Sequence, residues 1–176
     1  MPYAIELYLD KEASAKVREI HLLLKKNGIR IDEGTEPHVS LCIYEDLPIR
    51  EFEKELRLFA GKIEPFEVVF THVASFQTAE PVIFLAPEVS QKLLDVHLQF
   101  NDNFSKYNDA VWDYYRPQTW VPHCTLCMGL TRDMYIRAQE ILKDVGLPIK
   151  GTFKRIGVLK FRPNEQLFTF GLGENL

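Results

Sequence analysis

The sequence predicts an α+β fold, and two observations predict it. Strand-like and helix-like segments are interspersed along all 176 residues, and several strand candidates lie close enough in sequence to pair antiparallel. That pattern fits α+β, or a mixed α/β arrangement, better than a doubly wound parallel sheet. Tyr3 to Leu9 reads as the first strand, because Ala4, Glu6 and Tyr8 alternate with Ile5, Leu7 and Leu9. Asp10 is placed to cap a helix to about Asn27, with Ala13, Val17, Ile20 and Leu24 at helical spacing and Gly28 as the stop. A second helix is expected from Pro48 to Gly61, with Ile49, Phe52, Leu56 and Phe59 on one face. Pro65 to Phe76 and Val82 to Ala86 read as strands.

A third helix is expected from Glu88 to about Lys106 on the stripe Val89, Leu93, Val96 and Phe100. Thr131 caps a fourth to about Val145, with Met134, Ala138, Ile141 and Val145 inward and Gly146 ending it. Gly151 to Phe161 and Gln166 to Gly171 close the chain as strands, joined by a turn at Arg162-Pro163-Asn164. The longest irregular stretch, Tyr107 to Thr119, carries three tyrosines, Trp112 and Arg116. Loops of that length in a compact domain are usually functional or mobile.

Composition narrows the function. Apolar residues at 46% and charged residues at 26% are ordinary globular values, which excludes a disordered or collagen-like chain. No apolar run approaches the ~20 residues of a membrane helix, and the N-terminus lacks the basic, apolar and small-residue segments of a secretory leader. Three cysteines, Cys42, Cys124 and Cys127, suggest reduced thiols and a cytoplasmic protein. A net charge of −4 with mixed signs argues against coating nucleic acid by phosphate neutralisation alone. A small anionic ligand in a local pocket stays open.

One short pattern occurs twice. Pro37-His38-Val39-Ser40-Leu41-Cys42 is matched by Pro122-His123-Cys124-Thr125-Leu126-Cys127, 85 residues later. Pro-His-any-Ser/Thr is expected roughly 0.02 times by chance at these abundances, so an internal duplication of a strand-then-helix unit is the natural reading. On a strand, His and the hydroxyl two positions on share a face ~7 Å apart. Val39 and Leu41, like Cys124 and Leu126, then point the other way. If the two strands approach, two imidazoles and two hydroxyls make a site for a tetrahedral phosphate. Hydroxyls donate to its oxygens, and imidazoles with pKa near ~6.5 supply a base and an acid.

These paired motifs, with Trp120-x-Pro122 leading into the second, resemble the two-histidine phosphoesterase superfamily. The likeness is to its bacterial 2'-5' RNA ligase-like and cyclic phosphodiesterase branch, and it covers essentially the whole chain. The resemblance implies one phosphoesterase domain over residues 1–176, built of two pseudo-symmetric lobes with antiparallel sheets flanked by helices and a central cleft. It also implies metal-independent attack on 2',3'-cyclic or 2'-5' phosphodiester bonds of a nucleotide or RNA end, reversible as ligation. His38 and His123 are then the catalytic pair, and Ser40 and Thr125 hold the phosphate. Ser40 stands where threonine is commoner, which keeps the hydroxyl donor. Which histidine is the base is left open by the near-symmetry.

Other assignments are weighed beside these. Tyr115, Arg116 and Trp120 are candidate base or phosphate contacts, although the aromatic loop could equally close a core. Arg155, Lys160 and Arg162 are candidate phosphate neighbours or plain edge charges. A zinc site is disfavoured, since His and Cys four apart on a strand are ~13 Å apart. Cys42 and Cys127 read as small apolar fillers at the far edge of the site. His21 and His97 read as surface or flank residues of helices, and His72 as a core histidine. A serine hydrolase on Ser40 lacks a nucleophile elbow, and the competing function is a nucleotide-binding module with little turnover. No cofactor, no metal, no membrane and no stable protein partner are called for, and a monomer is expected.

Overall fold

The computed structural model describes residues 1–174. Its elements run β1 (Tyr3–Leu9), α1 (Lys11–Lys26), β2 (His38–Tyr44), α2 (Ile49–Lys62), β3 (Phe66–Phe76), β4 (Val82–Pro87), α3 (Gln91–Asn103), β5 (Cys124–Cys127), α4 (Arg132–Leu142), β6 (Ile149–Lys160) and β7 (Glu165–Gly171). The order β-α-β-α-β is thus traversed twice, once from β1 to β3 and once from β4 to β6. Two short 3-10 turns, Ser105–Ala110 and Asp113–Tyr115, occupy the aromatic stretch between α3 and β5.

All strand pairs are antiparallel and form one seven-stranded sheet in the order β2-β1-β6-β3-β4-β5, with β7 also on β6. The long β6 joins two halves. One edge pairs with β1 along Phe153–Lys160, while the other pairs with β3 along Ile149–Phe153 and with β7 along Arg155–Lys160. The two motif-bearing strands, β2 and β5, lie at opposite ends of this order, yet they meet in space. The Trp120 indole, just before β5, donates to the Ser40 carbonyl of β2 at 3.0 Å. The sheet therefore curls until its ends close on each other.

Local signals account for most elements. The Asp10 side chain accepts the Ala13 amide at 2.9 Å, and Ala13, Val17, Ile20 and Leu24 are all buried, so α1 forms where its cap and stripe put it. Phe52 and Phe59 of α2 pack on Phe100 and Phe104 at the end of α3, with ring centroids 4.9–5.6 Å apart. Tyr107 joins this cluster against Tyr44 and Phe52. Part of the aromatic stretch is therefore core.

Three expectations need correction. Helix α3 starts at Gln91, not Glu88, because the Glu88 amide still bonds the Val69 carbonyl of β3 at 2.7 Å and Ser90 caps the Leu93 amide at 3.1 Å. Val89 is accordingly exposed. The same helix stops at Asn103, where Phe104 turns into the aromatic cluster, and α4 ends at Leu142 rather than near Val145. His72 is not a core residue: a register shift between Phe70 and His72 disturbs the β3–β4 pairing, and His72 lies exposed.

Candidate active site

The site grows from two copies of one local device. In β2, Tyr8 and Glu6 of β1 face His38 and Ser40, but Ile5 faces Cys42, so Leu41 is an extra residue. In β5, Phe84 and Ile83 of β4 face Thr125 and Cys127, so Leu126 is the extra one. Each hydroxyl residue is thus followed at once by a β-bulge, which bends the strand and re-aims its side chains. The duplication extends to backbone geometry. It also takes Cys42 and Cys127 out of line with Ser40 and Thr125. The three cysteines are fully buried, and burial pushes their thiols up to about 12.

The two imidazoles are oriented alike. His38 Nδ1 lies 2.6 Å from the Glu36 carbonyl and His123 Nδ1 lies 2.7 Å from the Val121 carbonyl. A carbonyl oxygen only accepts, so each Nδ1 carries a hydrogen and each Nε2 is the chemically available nitrogen. Both rings are half-buried, and they are close enough that His38 helps hold His123 below the ordinary imidazole value, after burial as the main cause. The hydroxyls of Ser40 and Thr125 have no hydrogen-bond partner among the described residues, and no wholly buried side-chain oxygen lacks one. Neither hydroxyl is therefore wholly buried. A hollow of about 410 Å³ lies away from the two imidazoles, beside Phe59, Ile63 and Gln99 of α2 and α3.

The surroundings of the two rings differ. His123 sits against phenyl rings, Phe76 at 5.0 Å and Phe84 at 5.4 Å between centroids. His38 has the Tyr8 ring 6.4 Å away, edge-on, and its Nε2 is 3.2 Å from Oε1 of Glu6. The Glu6 carboxyl is only 2% exposed and takes a hydrogen bond from the Tyr8 hydroxyl at 2.8 Å. Burial pushes this carboxyl up, against the opposing pull of His38 and Tyr8.

Two histidines read as helix-flank residues brace the motifs instead. His21 of α1 donates through Nε2 to the Thr125 carbonyl at 3.0 Å. His97 of α3, only 3% exposed, donates through Nε2 to the Leu41 carbonyl at 3.0 Å. Each first helix of one β-α-β-α-β unit therefore reaches the motif strand of the other unit. Burial lowers both, His97 to about 4, so both work as neutral donors. The only signal for this in the sequence was their placement beside apolar stripes.

The remaining candidates separate. Trp120 is not placed to stack on a ligand: it is 9% exposed, lies parallel to His97 at 3.7 Å and supports Ser40 from beneath. Its apolar bulk and its single N–H both find partners in the core. Tyr115 is half-buried and packs against the core, and burial raises its hydroxyl. Arg116 bonds Asp113 at 3.0 Å and the Asn108 carbonyl at 3.3 Å, within its own loop. Trp112 donates to Glu45 at 2.9 Å and meets Phe161 and Arg162. Arg155 pairs with Glu36 at 2.5 Å and lies over Tyr8, and Lys160 pairs with Glu165 at 3.6 Å.

A curled antiparallel sheet whose two ends each present a His-x-Ser/Thr strand to one groove is the architecture of a two-histidine phosphoesterase. The sequence model of the 2'-5' RNA ligase superfamily matches residues 9–165. The chain belongs to that family. Among solved structures, TT0787 of Thermus thermophilus superposes with TM-score 0.67 at 14% identity, over 100% of both chains. E. coli LigT complexed with NADP+ gives 0.60 at 15%, and complexed with 3'-AMP 0.60 at 14%, each over 98% of this chain and 97% of that one. These likenesses concern the fold. A comparison with curated proteins returns no significant match. No helix among the described residues is long and apolar enough to cross a membrane.

Proposed function

We propose that the chain is a phosphodiesterase that hydrolyses 2',3'-cyclic phosphates or 2'-5' phosphodiester bonds of nucleotides or RNA ends, with 2'-5' ligation as the reverse reaction. The observation that carries this reading is the matched orientation of His38 and His123, each with Nδ1 tied to the carbonyl two residues earlier and Nε2 left for proton transfer. Two such nitrogens on one groove supply a base for the attacking hydroxyl or water and an acid for the departing oxygen. Ser40 and Thr125 hold the non-bridging oxygens and stabilise the charge that grows on them. Proton transfer and charge stabilisation are thus accounted for by side chains, with neither a metal nor a cofactor required. Tyr115, half-buried on the loop before β5, is the aromatic residue proposed to meet a base. The nucleotides seen on E. coli LigT support a nucleotide-sized substrate.

The test is a panel of 2',3'-cyclic nucleotides and 2'-5'-linked dinucleotides, with and without chelator, with products assigned as 2'- or 3'-phosphates. Turnover that survives chelation and falls at least ~10²-fold in both His38→Ala and His123→Ala is expected, the usual size of an acid–base contribution. Binding without turnover across the panel would overturn the enzyme in favour of a nucleotide-binding module. Loss of activity with chelator would overturn the metal-independent mechanism.

A further inference from the structure

Away from the two imidazoles, the loop before β5 and the end of β6 build an aromatic cluster with a cation on it. Trp112 meets Phe161 edge-on, 5.9 Å between ring centroids. The Arg162 guanidinium lies over both rings, 5.5 Å from Phe161 and 6.0 Å from Trp112. We propose that Trp112, Phe161 and Arg162 form a second nucleotide subsite, which holds the part of an RNA strand leading away from the reacting phosphate. This rests on the phosphodiesterase reading above and deepens it, naming an RNA end rather than a mononucleotide as the preferred substrate.

Strand register puts the cluster on the same face of the sheet as the motif side chains. Tyr8 of β1 stands opposite both His38 and Arg155, and Ala4 stands opposite both Ile43 and Leu159. Residues opposite one another share a face, as do residues an even number apart on one strand. Phe161 comes two residues after Leu159, and its amide continues the ladder to the Pro2 carbonyl at 3.2 Å. The Trp112 amide bonds the Ile43 carbonyl at 2.9 Å, which ties the loop to the sheet at the same level. From Tyr8 to Ala4 the strand rises about 13 Å, so the cluster lies beyond the nucleotide that reacts. The chain then returns along β2 to Trp120, whose indole bonds Ser40, and Tyr114 stands 80% exposed on that path.

The chemistry of the cluster suits a base and a phosphate. The Trp112 indole N–H is fixed on Glu45 at 2.9 Å, which holds the half-buried ring in one orientation as a stacking platform. Arg162 is exposed, and a guanidinium backed by two rings offers its outer plane to a base and its edge to a phosphate. The Arg162 backbone has a φ of 69°, in the left-handed region that glycine occupies without penalty and arginine does not. An arginine kept there against its backbone preference fits a functional demand on the guanidinium. Nearby charges are already engaged, Glu45 with Trp112, Asp113 with Arg116 and Lys160 with Glu165. Arg162 is in no ion pair among the described residues.

Such a subsite reconciles a net charge of −4 with a polyanionic substrate. Stacking needs no surplus of cations and tolerates any base. A single guanidinium neutralises one phosphate, so binding depends only weakly on salt. A 2',3'-cyclic phosphate terminates the 3' end of a strand, so every further nucleotide lies on its 5' side. A mononucleotide ends before it reaches Trp112 and gains nothing from the cluster.

Two measurements test the subsite. The first is affinity, by fluorescence anisotropy, for a labelled oligoribonucleotide ending in a 3'-phosphate, which requires no turnover. Arg162→Gly and Trp112→Leu should each weaken it roughly tenfold, the usual effect of one lost stack. Arg162→Gly should also flatten the dependence of log affinity on log salt by about 0.7. Glycine suits the backbone at position 162, so the urea midpoint of that variant should stay close to that of the parent, which separates lost binding from lost folding. The second is kcat/KM on an oligoribonucleotide with a 2',3'-cyclic end, divided by kcat/KM on the cyclic mononucleotide. That ratio should exceed one in the parent and fall roughly tenfold in both variants. Equal affinities in parent and variants, a parent ratio of one, or a ratio that neither variant lowers would overturn the subsite. Weakened affinity in both variants with no turnover of either substrate would uphold the subsite and overturn the phosphodiesterase reading.

Discussion

Replacing Trp120 by Phe tests how the two ends of the sheet are joined. The indole lies flat on His97 at 3.7 Å, and its N–H is the donor to the Ser40 carbonyl at 3.0 Å. Phenylalanine keeps an aromatic face for His97 but removes that donor. A buried carbonyl left without a partner costs about 1–3 kcal/mol, and a reduced stack removes a further fraction of the ~0.5–1.5 kcal/mol of an aromatic pair. The expected loss is therefore about 1.5–3.5 kcal/mol of unfolding free energy, read from urea denaturation with an unchanged m-value. In a chain of this size each kcal/mol corresponds to roughly 2–4 °C in Tm. Because the lost bond is to the backbone of Ser40, turnover should fall with stability in the same variant. A variant within ~0.5 kcal/mol of the parent, with full activity, would refute the bridging role of Trp120.

Further tests probe the hydroxyls and the buried histidine. Thr125→Val keeps the branched shape and removes the donor, so kcat should fall about 10²-fold, at the lower end of what loss of one transition-state donor costs. An unchanged kcat would remove Thr125 from the phosphate site. His97 is held down to about 4 by burial, against ~6.5 in the unfolded chain. Its contribution to stability is full above that unfolded value and is lost as pH falls from there towards about 4, with a slope of up to about 1.4 kcal/mol per pH unit. Urea midpoints of the parent and of His97→Gln should converge over that interval as pH is lowered. A gap that stays constant would show that His97 titrates alike in both states.

Much of the architecture was legible because it is written over short distances. The alternation in Tyr3–Leu9, the Asp10 cap, the apolar stripe of α1 and the turn at Arg162 each depend on residues a few positions apart. The repeated Pro-His-x-Ser/Thr was legible for the same reason, since one strand sets both side chains on one face. Errors arose where a residue answers to a distant partner. Glu6 read only as the polar half of an alternation, because nothing near it in sequence announces His38 across the β1–β2 pair. His97 read as a helix-flank residue and Trp120 as either a base contact or part of a core, and each donates to a carbonyl of β2 in the other repeat. Tyr107 and Tyr115 were equivalent aromatics of one loop until Tyr107 joined the Phe52 cluster and Tyr115 settled half-buried against the core.

By itself the amino-acid order determined the alternating α and β segments, the duplicated histidine-hydroxyl strands and the kind of chemistry proposed for those groups. Only the tertiary structure decided that the sheet curls so that β2 and β5 share a groove, and that one imidazole faces a carboxyl while its counterpart faces phenyl rings. Periodicity encodes which face a side chain takes on its own strand. Which groups oppose that face follows from strand register and burial, which involve residues far apart in the chain.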